Sequence, residues 1–534
     1  MSKTGEFDLN FPGATIICAT QEKKLAILNY LNGRSPNFNL DLSTDNFQNT
    51  LEQAVFNTTY THEGRHLHDY LTAPLLTTHW LQRIFSLSFS VIAIDSWKHS
   101  SQRYKYLPLP FNRWLGLTPE KKSELLRHKG ISENDVPFYN ISAFNNVSSG
   151  DLDKLPPFDR YLIYTALAQI QMDEEKDNFH LDSYNTDYSV RSFMESLAFI
   201  IQSTEIVLKY GDEGERIADF IREKSFENFM FLGKKKRNEG KGIGRSDYLG
   251  YTNYTSMFTY VYRFCFRNKV NPYHVYPFIA YMLFWGLCGD PTTNTSRALA
   301  PRNRLESFFH LDEMGYDMAL CNDETLQTLF NNPLETFNSW DNTVRMAYLS
   351  WPKEIRIIQN EQFYPLSTIS EAIDFRKYYT DIVHKGKDLS LQLKSIGYHS
   401  VSNYIHGITG AMAYMADMML NSAPMYLYPE MYVQNLNKFV NVPFRIRFVN
   451  GIAISESELT SDSNIIFDND MIYGNSLNQH SDTDINCILK CKDYLESKKY
   501  IDFYNVLLGT SLIEKPGSLI REMLPGIKPW FINV

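Results

Sequence analysis

Basic charge is in short supply. Lys and Arg total 52 against 61 Asp and Glu, a formal net charge of −9. A broad electrostatic grip on a phosphate backbone is therefore not expected, and neither is nucleic acid as a partner. Cysteine is sparse as well. Cys18, Cys265, Cys288, Cys321, Cys487 and Cys491 are scattered with no framework spacing. That excludes a disulfide-stapled scaffold and predicts reduced thiols in a cytoplasmic protein. The close pair Cys487 and Cys491 has no second Cys/His pair nearby, which makes a poor zinc site. Long apolar runs are absent. Residues 275–287 are too few and contain Pro277, and residues 81–94 carry Arg83 and three serines. Both read as buried helices, and no membrane span is expected. The first ten residues, MSKTGEFDLN, have no apolar leader region. Glycine is dense only in the basic stretch 233–245, whose spacing does not fit a phosphate-binding loop, so it reads as a solvated loop. Internal repeats and sustained heptads are missing.

What is present is core material. Hydrophobic residues make up 43% of the chain and charged residues 21%, a globular balance, with 34 Tyr and 35 Phe. A length of 534 residues is enough for two to four domains. Taken in order, a β-branched run at 14–18 predicts an edge strand, and 22–31 an amphipathic helix. Residues 99–155 are rich in Pro, Asn and Ser and read as an insertion or lid, with a helix opened by Thr118 as cap and Pro119 at the first turn. A helix follows at 159–172, then a polar loop at 173–187. Two aromatic, strongly apolar helices are expected over 251–290, with Arg302 and Arg304 after them. Beyond about residue 330 the chain reads as mixed-charge helices over 366–397 and a Met-rich core helix over 404–421. Phe444, Ile446 and Phe448 alternate toward Asn450-Gly451, a hairpin signal over 443–455, and 455–480 reads as a loop.

The stretch that carries chemistry is Thr61 to Leu71, T-H-E-G-R-H-L-H-D-Y-L. His62 and His66 stand four apart, so on a helix both imidazoles leave from one face, where two neutral imidazoles can bind one zinc ion. Glu63 falls beside them, placed to take a proton from a metal-activated water. Phe47, Leu51, Ala54 and Thr58 recur at helical steps and continue into His62, His66 and Asp69, so the imidazoles sit on the stripe that points inward. Asp45 and Gln48 form a capping-box pattern at the start, and Pro74 stops the helix at about Ala73. The plainer reading is a pair of core histidines bonded to backbone carbonyls.

A second helix, 190–210, is apolar nearly all round yet contains Glu195, with the small Ala198 three residues on and Gln202 two turns away. A carboxylate in a buried helix is costly unless it is paired or bound to a metal. A partner Arg or Lys on a neighbouring helix would satisfy it equally well.

Together, His62-Glu63-x-x-His66 and Glu195-Ser-x-Ala resemble the gluzincin group of zinc metallopeptidases. The resemblance covers these two short segments. It implies His62, His66 and Glu195 as zinc ligands and Glu63 as general base. It also implies a small β element near the site, where a strand edge takes a substrate backbone. The interval between His66 and Glu195 is longer than in compact members of the group, so the residues between must loop out. Asp69 competes for the third place. On one straight helix it lies about 10 Å from His62 along the axis, so it is better placed to hold an imidazole N–H or an arginine. His68 points away from His66 and is not expected to be a ligand.

The expected fold is mainly α: a zincin-like helical metallopeptidase core with a small β element over 1–335, containing the insertion at about 99–155, and a mostly helical C-terminal region over 336–534. The expected reaction is zinc-dependent hydrolysis of a peptide bond in a protein or peptide substrate, with an unidentified Tyr, His or Arg steadying the oxyanion. The alternative is a non-catalytic helical interaction or regulatory protein with a structural or vestigial motif.

Overall fold

The segment Phe11–Cys18 is buried at every position, so it is an inner strand and not the edge strand expected at 14–18. Its apolar residues are covered on both faces. In chain order the elements are β1 (Gly5–Asp8), β2 (Phe11–Cys18), α1 (Gln21–Leu31), α2 (Phe47–Thr72), α3 (Pro74–His99), β3 (Tyr106–Leu109), α4 (Phe111–Gly116), α5 (Pro119–Lys129), α6 (Pro157–Phe179) and α7 (Val190–Asn238). There follow β4 (Arg356–Gln359), β5 (Gln362–Pro365), α8 (Phe375–Ser395), α9 (His399–Leu427), α10 (Pro429–Gln434), β6 (Phe444–Phe448), β7 (Ile465–Asp468), β8 (Met471–Gly474), α11 (Cys491–Leu508), α12 (Pro516–Met523) and β9 (Lys528–Phe531). The computed structural model describes residues 4–42, 46–101, 103–139, 152, 154–179, 190–238, 276, 280, 283, 284, 287, 356–359, 362–365, 375–460, 465–475, 489–510 and 513–532. The chain is mainly helical with a small mixed sheet. Among the described residues no helix is long and apolar enough to cross a membrane.

Two compact units are formed, each from segments distant in sequence: Met1–Thr77 with Glu175–Asp381 and Gly410–Cys491, and Thr78–Glu174 with Ile382–Thr409 and Lys492–Val534. The first contains a five-stranded sheet in the order β1-β2-β6-β8-β7. β2 pairs antiparallel with β1 and parallel with β6, and β8 pairs antiparallel with both β6 and β7. Phe444–Phe448 is thus a strand, and Asn450 and Gly451 do form a turn with φ of 61° and 73°. Its partners, however, are β2 and β8 rather than 452–455. The strands β7 and β8 correct the loop expected over 455–480; their short apolar runs, Ile465-Ile466-Phe467 and Met471-Ile472-Tyr473, turn at Asp468–Asp470. One face of the sheet meets α1 and α2 in a core of Ile16, Cys18, Ile27, Phe38, Phe56, Phe444, Ile446 and Ile472. A second cluster, Leu51, Ala54, Ile206 and Ile217, joins α2 to α7.

α2 starts one step later than its sequence signal. Asn46, not Asp45, is the cap, its side chain accepting from Gln48 N; asparagine serves there as well as aspartate. The helix ends at Thr72, and Pro74 opens α3 at its first position, where no N–H is needed. From Thr58 onward α2 is buried on nearly every side, not along one stripe.

The second unit holds the parallel pair β3 and β9. Of the stretch 99–155, its described residues include β3, α4 and α5. Thr118 caps α5, accepting from Lys121 N, and Gly130 closes it with a φ of 65°. Lys122 is fully buried, its ammonium donating to the carbonyls of Leu115 and Tyr139 and lying over the Trp114 ring. The polar run at 173–179 continues α6 rather than forming a loop, and 233–238 continue α7. In the first unit Met412 and Met415 are core filler, and the Met415 sulfur accepts from Val440 N. Arg302, Arg304, Cys487 and most of 251–290 lie outside the described residues. Cys491 is buried and donates its thiol proton to Gly474 O, with burial pushing its pKa up to about 12.

Candidate metal centre

α2 and α7 pack side by side in the first unit. Ala54, fully buried, packs with Ile206 and Ile217 of α7, and Ala198 on α7 is fully buried as well. Axial register is held by Gln202, whose amide donates to Thr58 Oγ1 and Val55 O, and by Asn57, whose amide donates to the Tyr210 hydroxyl. Thr58 lies one turn before His62 on α2, and Gln202 two turns after Glu195 on α7. The packing that aligns the lower pair therefore aligns the upper residues too.

His62, His66 and Glu195 come together, each offering one ligand atom, all within 4.8 Å of one another. His62 Nε2 is 3.4 Å and His66 Nε2 3.7 Å from the same oxygen, Glu195 Oε2. His66 is closed off at 3% exposure, while Glu195 remains 24% exposed, so the group has access to solvent. The separations are informative. A charge-assisted N–H···O bond draws its atoms to about 2.7–2.9 Å. Four ligands at zinc bond lengths stand roughly 3.3 Å apart in a tetrahedron. The spacing here matches ligands that share a small ion better than a hydrogen bond.

The ring nitrogens on the other side, His62 Nδ1 and His66 Nδ1, are buried with no hydrogen-bond partner. His68, on the same helix, shows what a satisfied core histidine looks like. Its Nε2 lies 2.7 Å from Val440 O and its Nδ1 2.7 Å from the Tyr432 hydroxyl. The carbonyl can only accept, so Nε2 carries the proton and Nδ1 accepts from Tyr432. Burial pushes the His68 pKa down to about 4. The plainer reading of the motif histidines as carbonyl-bonded core residues thus describes His68 and not the other two.

Electrostatics follow from the same contacts. Burial raises the Glu195 carboxyl, but the imidazoles of His66 and His62 outweigh it and hold it well below the usual carboxylate range. Burial favours the neutral form of His66, yet Glu195, Glu63 and Asp69 together raise its pKa above the ordinary value. A cluster with that much negative potential favours a cation, whether a proton or a metal.

Asp69 does not join the cluster. Its Oδ1 accepts from Arg65 Nε at 3.0 Å and from the Tyr426 hydroxyl at 2.7 Å. Arg65 is fully buried, donates to Tyr426 O, and lies over the rings of Tyr426 and Tyr432 at 4.2 and 4.7 Å. Of the two partners expected for Asp69, the arginine is the one it has.

Glu63 is buried on the side of α2 that faces β1. The strand was not anticipated from sequence. Its signal was the alternation of Gly5 and Phe7 with Glu6 and Asp8, short enough to pass for a loop. Phe7 lies against the His66 ring, centroids 5.7 Å apart, and stacks on Tyr70. β1 is the end strand of the sheet, and among the described residues nothing pairs with its outer side. Compared with known proteins, the chain matches no family model, no curated protein and no solved structure.

Proposed function

We propose that this chain is a metal-dependent peptidase of the zincin type, with His62, His66 and Glu195 holding zinc. The observation that carries the reading is the trio itself: two imidazole nitrogens set at ligand spacing around one carboxylate oxygen, on a helix that also carries the buried Glu63. Two nitrogens and one oxygen make a common zinc donor set that leaves a fourth position open.

When bound, zinc supplies a Lewis acid that polarises a carbonyl and makes water more acidic. The protein does the rest. Glu63 takes the proton of the attacking water and returns it to the leaving amine. β1 offers a place for the substrate. Ile17 N donates to Thr4 O across to β2, and the pattern repeats every second residue, so the amides and carbonyls of Gly5 and Phe7 face the outer edge. An extended peptide added there would run past Glu63 and His66. A protein or peptide substrate is therefore the class proposed.

The test is elemental analysis of tag-free protein, native and as His62→Ala, Glu195→Ala and Glu63→Gln. The expected result is about one zinc per chain, lost in the first two variants and kept in the third. Cleavage of a mixed peptide library should appear in the native protein and vanish in Glu63→Gln. A native chain that takes up no metal when zinc is supplied would sink the proposal and leave a helical interaction protein as the better description.

A further inference from the structure

Gly5 stands where the strand edge meets the motif helix. A Cβ built on Gly5 would lie 2.7 Å from Glu63 Oε1 and 3.0 Å from Glu63 Cγ, and closer still to the Thr59 methyl. Real Cβ atoms do not approach that near, so any side chain here forces something to shift. Thr59 cannot easily yield. It is β-branched, and its hydroxyl bonds to Val55 O and to Thr4 Oγ1, both at 2.8 Å. The strand is pinned to β2 by its ladder. The Glu63 carboxylate ends a side chain with three rotatable bonds and is the group that gives way.

We infer that Gly5 is a positioning residue for Glu63: the missing side chain is what lets the carboxylate stand against the strand edge. The inference rests on the metal reading above. It assigns to the N-terminal strand a role in aiming the general base, separate from any role in pairing with substrate. Gly5 is well placed for both, because a residue without a side chain also lets a second backbone come close.

The experiment uses the full chain loaded with cobalt(II), whose visible spectrum reports ligands at the metal. Two probes are titrated. Azide binds a metal through its own charge and needs no neighbouring base. Acetohydroxamate also presents an N–O–H proton that a carboxylate beside the metal can hold. The variants are Glu63→Gln, Gly5→Ala, and Gly5→Ala combined with Thr59→Ser, which removes the blocking methyl while keeping the hydroxyl. The double variant guards against a mere folding defect.

Expected are full cobalt loading in all four proteins and azide affinity no weaker than native in the three variants, since moving or removing the Glu63 charge eases the approach of an anion. Acetohydroxamate affinity should fall in Gly5→Ala and in the double variant to the level of Glu63→Gln. Native-like acetohydroxamate affinity in the double variant would overturn the inference while leaving the metal site standing. So would loss of cobalt in the double variant, because Gly5 would then act on the ligands and not on Glu63. Native protein that binds no cobalt at all would remove the metal reading and this inference with it.

Discussion

Phe7 holds one face of the His66 ring, with centroids 5.7 Å apart and planes inclined by 53°, and Tyr70 backs Phe7 in a near-parallel stack. The unpartnered Nδ1 of His66 gives the ring no hydrogen bond on its far side, so packing does the orienting. Phe7→Ala should loosen that orientation and weaken zinc binding by roughly tenfold, in the range seen when a ligand's supporting contacts are removed. Competition with a chromogenic chelator measures it; an unchanged zinc affinity would show that Phe7 merely fills space.

Gln202 carries two of the polar contacts between α2 and α7. Replacing Gln202 with Ala leaves Thr58 Oγ1 without its donor in a buried setting. The expected loss is about 1–2 kcal/mol, read as a lower urea midpoint with an unchanged slope. Zinc affinity should fall with it, since the same contact sets Glu195 opposite the histidines. A stability loss with native zinc affinity would mean that helix register and ligand placement are uncoupled.

Arg65 and Asp69 form a fully buried ion pair. Arg65→Met removes the charge and leaves the buried Asp69 carboxylate with the Tyr426 hydroxyl but no countercharge from Arg65, at an expected cost of about 3–5 kcal/mol. Adding Asp69→Asn should recover much of that, because the stranded carboxylate is the larger penalty. Equal destabilisation in the single and double variants, measured by chemical denaturation, would rule this account out.

His68 makes stability depend on pH. Its folded pKa is depressed to about 4 from an ordinary 6.5. Above 6.5 neither state holds the proton and the group has no pH effect. As pH falls below 6.5 the unfolded chain takes up the proton and the folded one does not, so stability declines until about pH 4. The loss reaches about 3 kcal/mol for a shift of this size. His68→Gln can keep both hydrogen bonds without titrating, so its stability profile between pH 7 and 4 should be flatter than the native one. Parallel profiles would place the pH response elsewhere.

Zinc should itself raise thermal stability, because an ion that binds only the folded chain shifts the equilibrium by mass action. The melting temperature should rise with zinc concentration in the native protein and stay fixed in His62→Ala. A rise in both would locate the binding elsewhere on the chain.

The amino-acid order alone determined the local part of the site. Four-residue spacing puts His62 and His66 on one side of a helix, and Pro74 ends that helix without reference to the rest of the chain, because both effects are steric and short-range. Which carboxylate joins them was a tertiary matter. Asp69 is close in sequence but is drawn away by Arg65 and Tyr426, the latter more than three hundred residues along the chain. Glu195 is distant in sequence and arrives only because α7 packs on α2, with Gln202 seated on Thr58. β1 was invisible for a related reason: four residues with one apolar side chain carry little strand signal until β2 and α2 are there to pair and pack with them. Hydrophobic periodicity reports the inward face of an element but not the element it will meet, and here the meeting decides the chemistry.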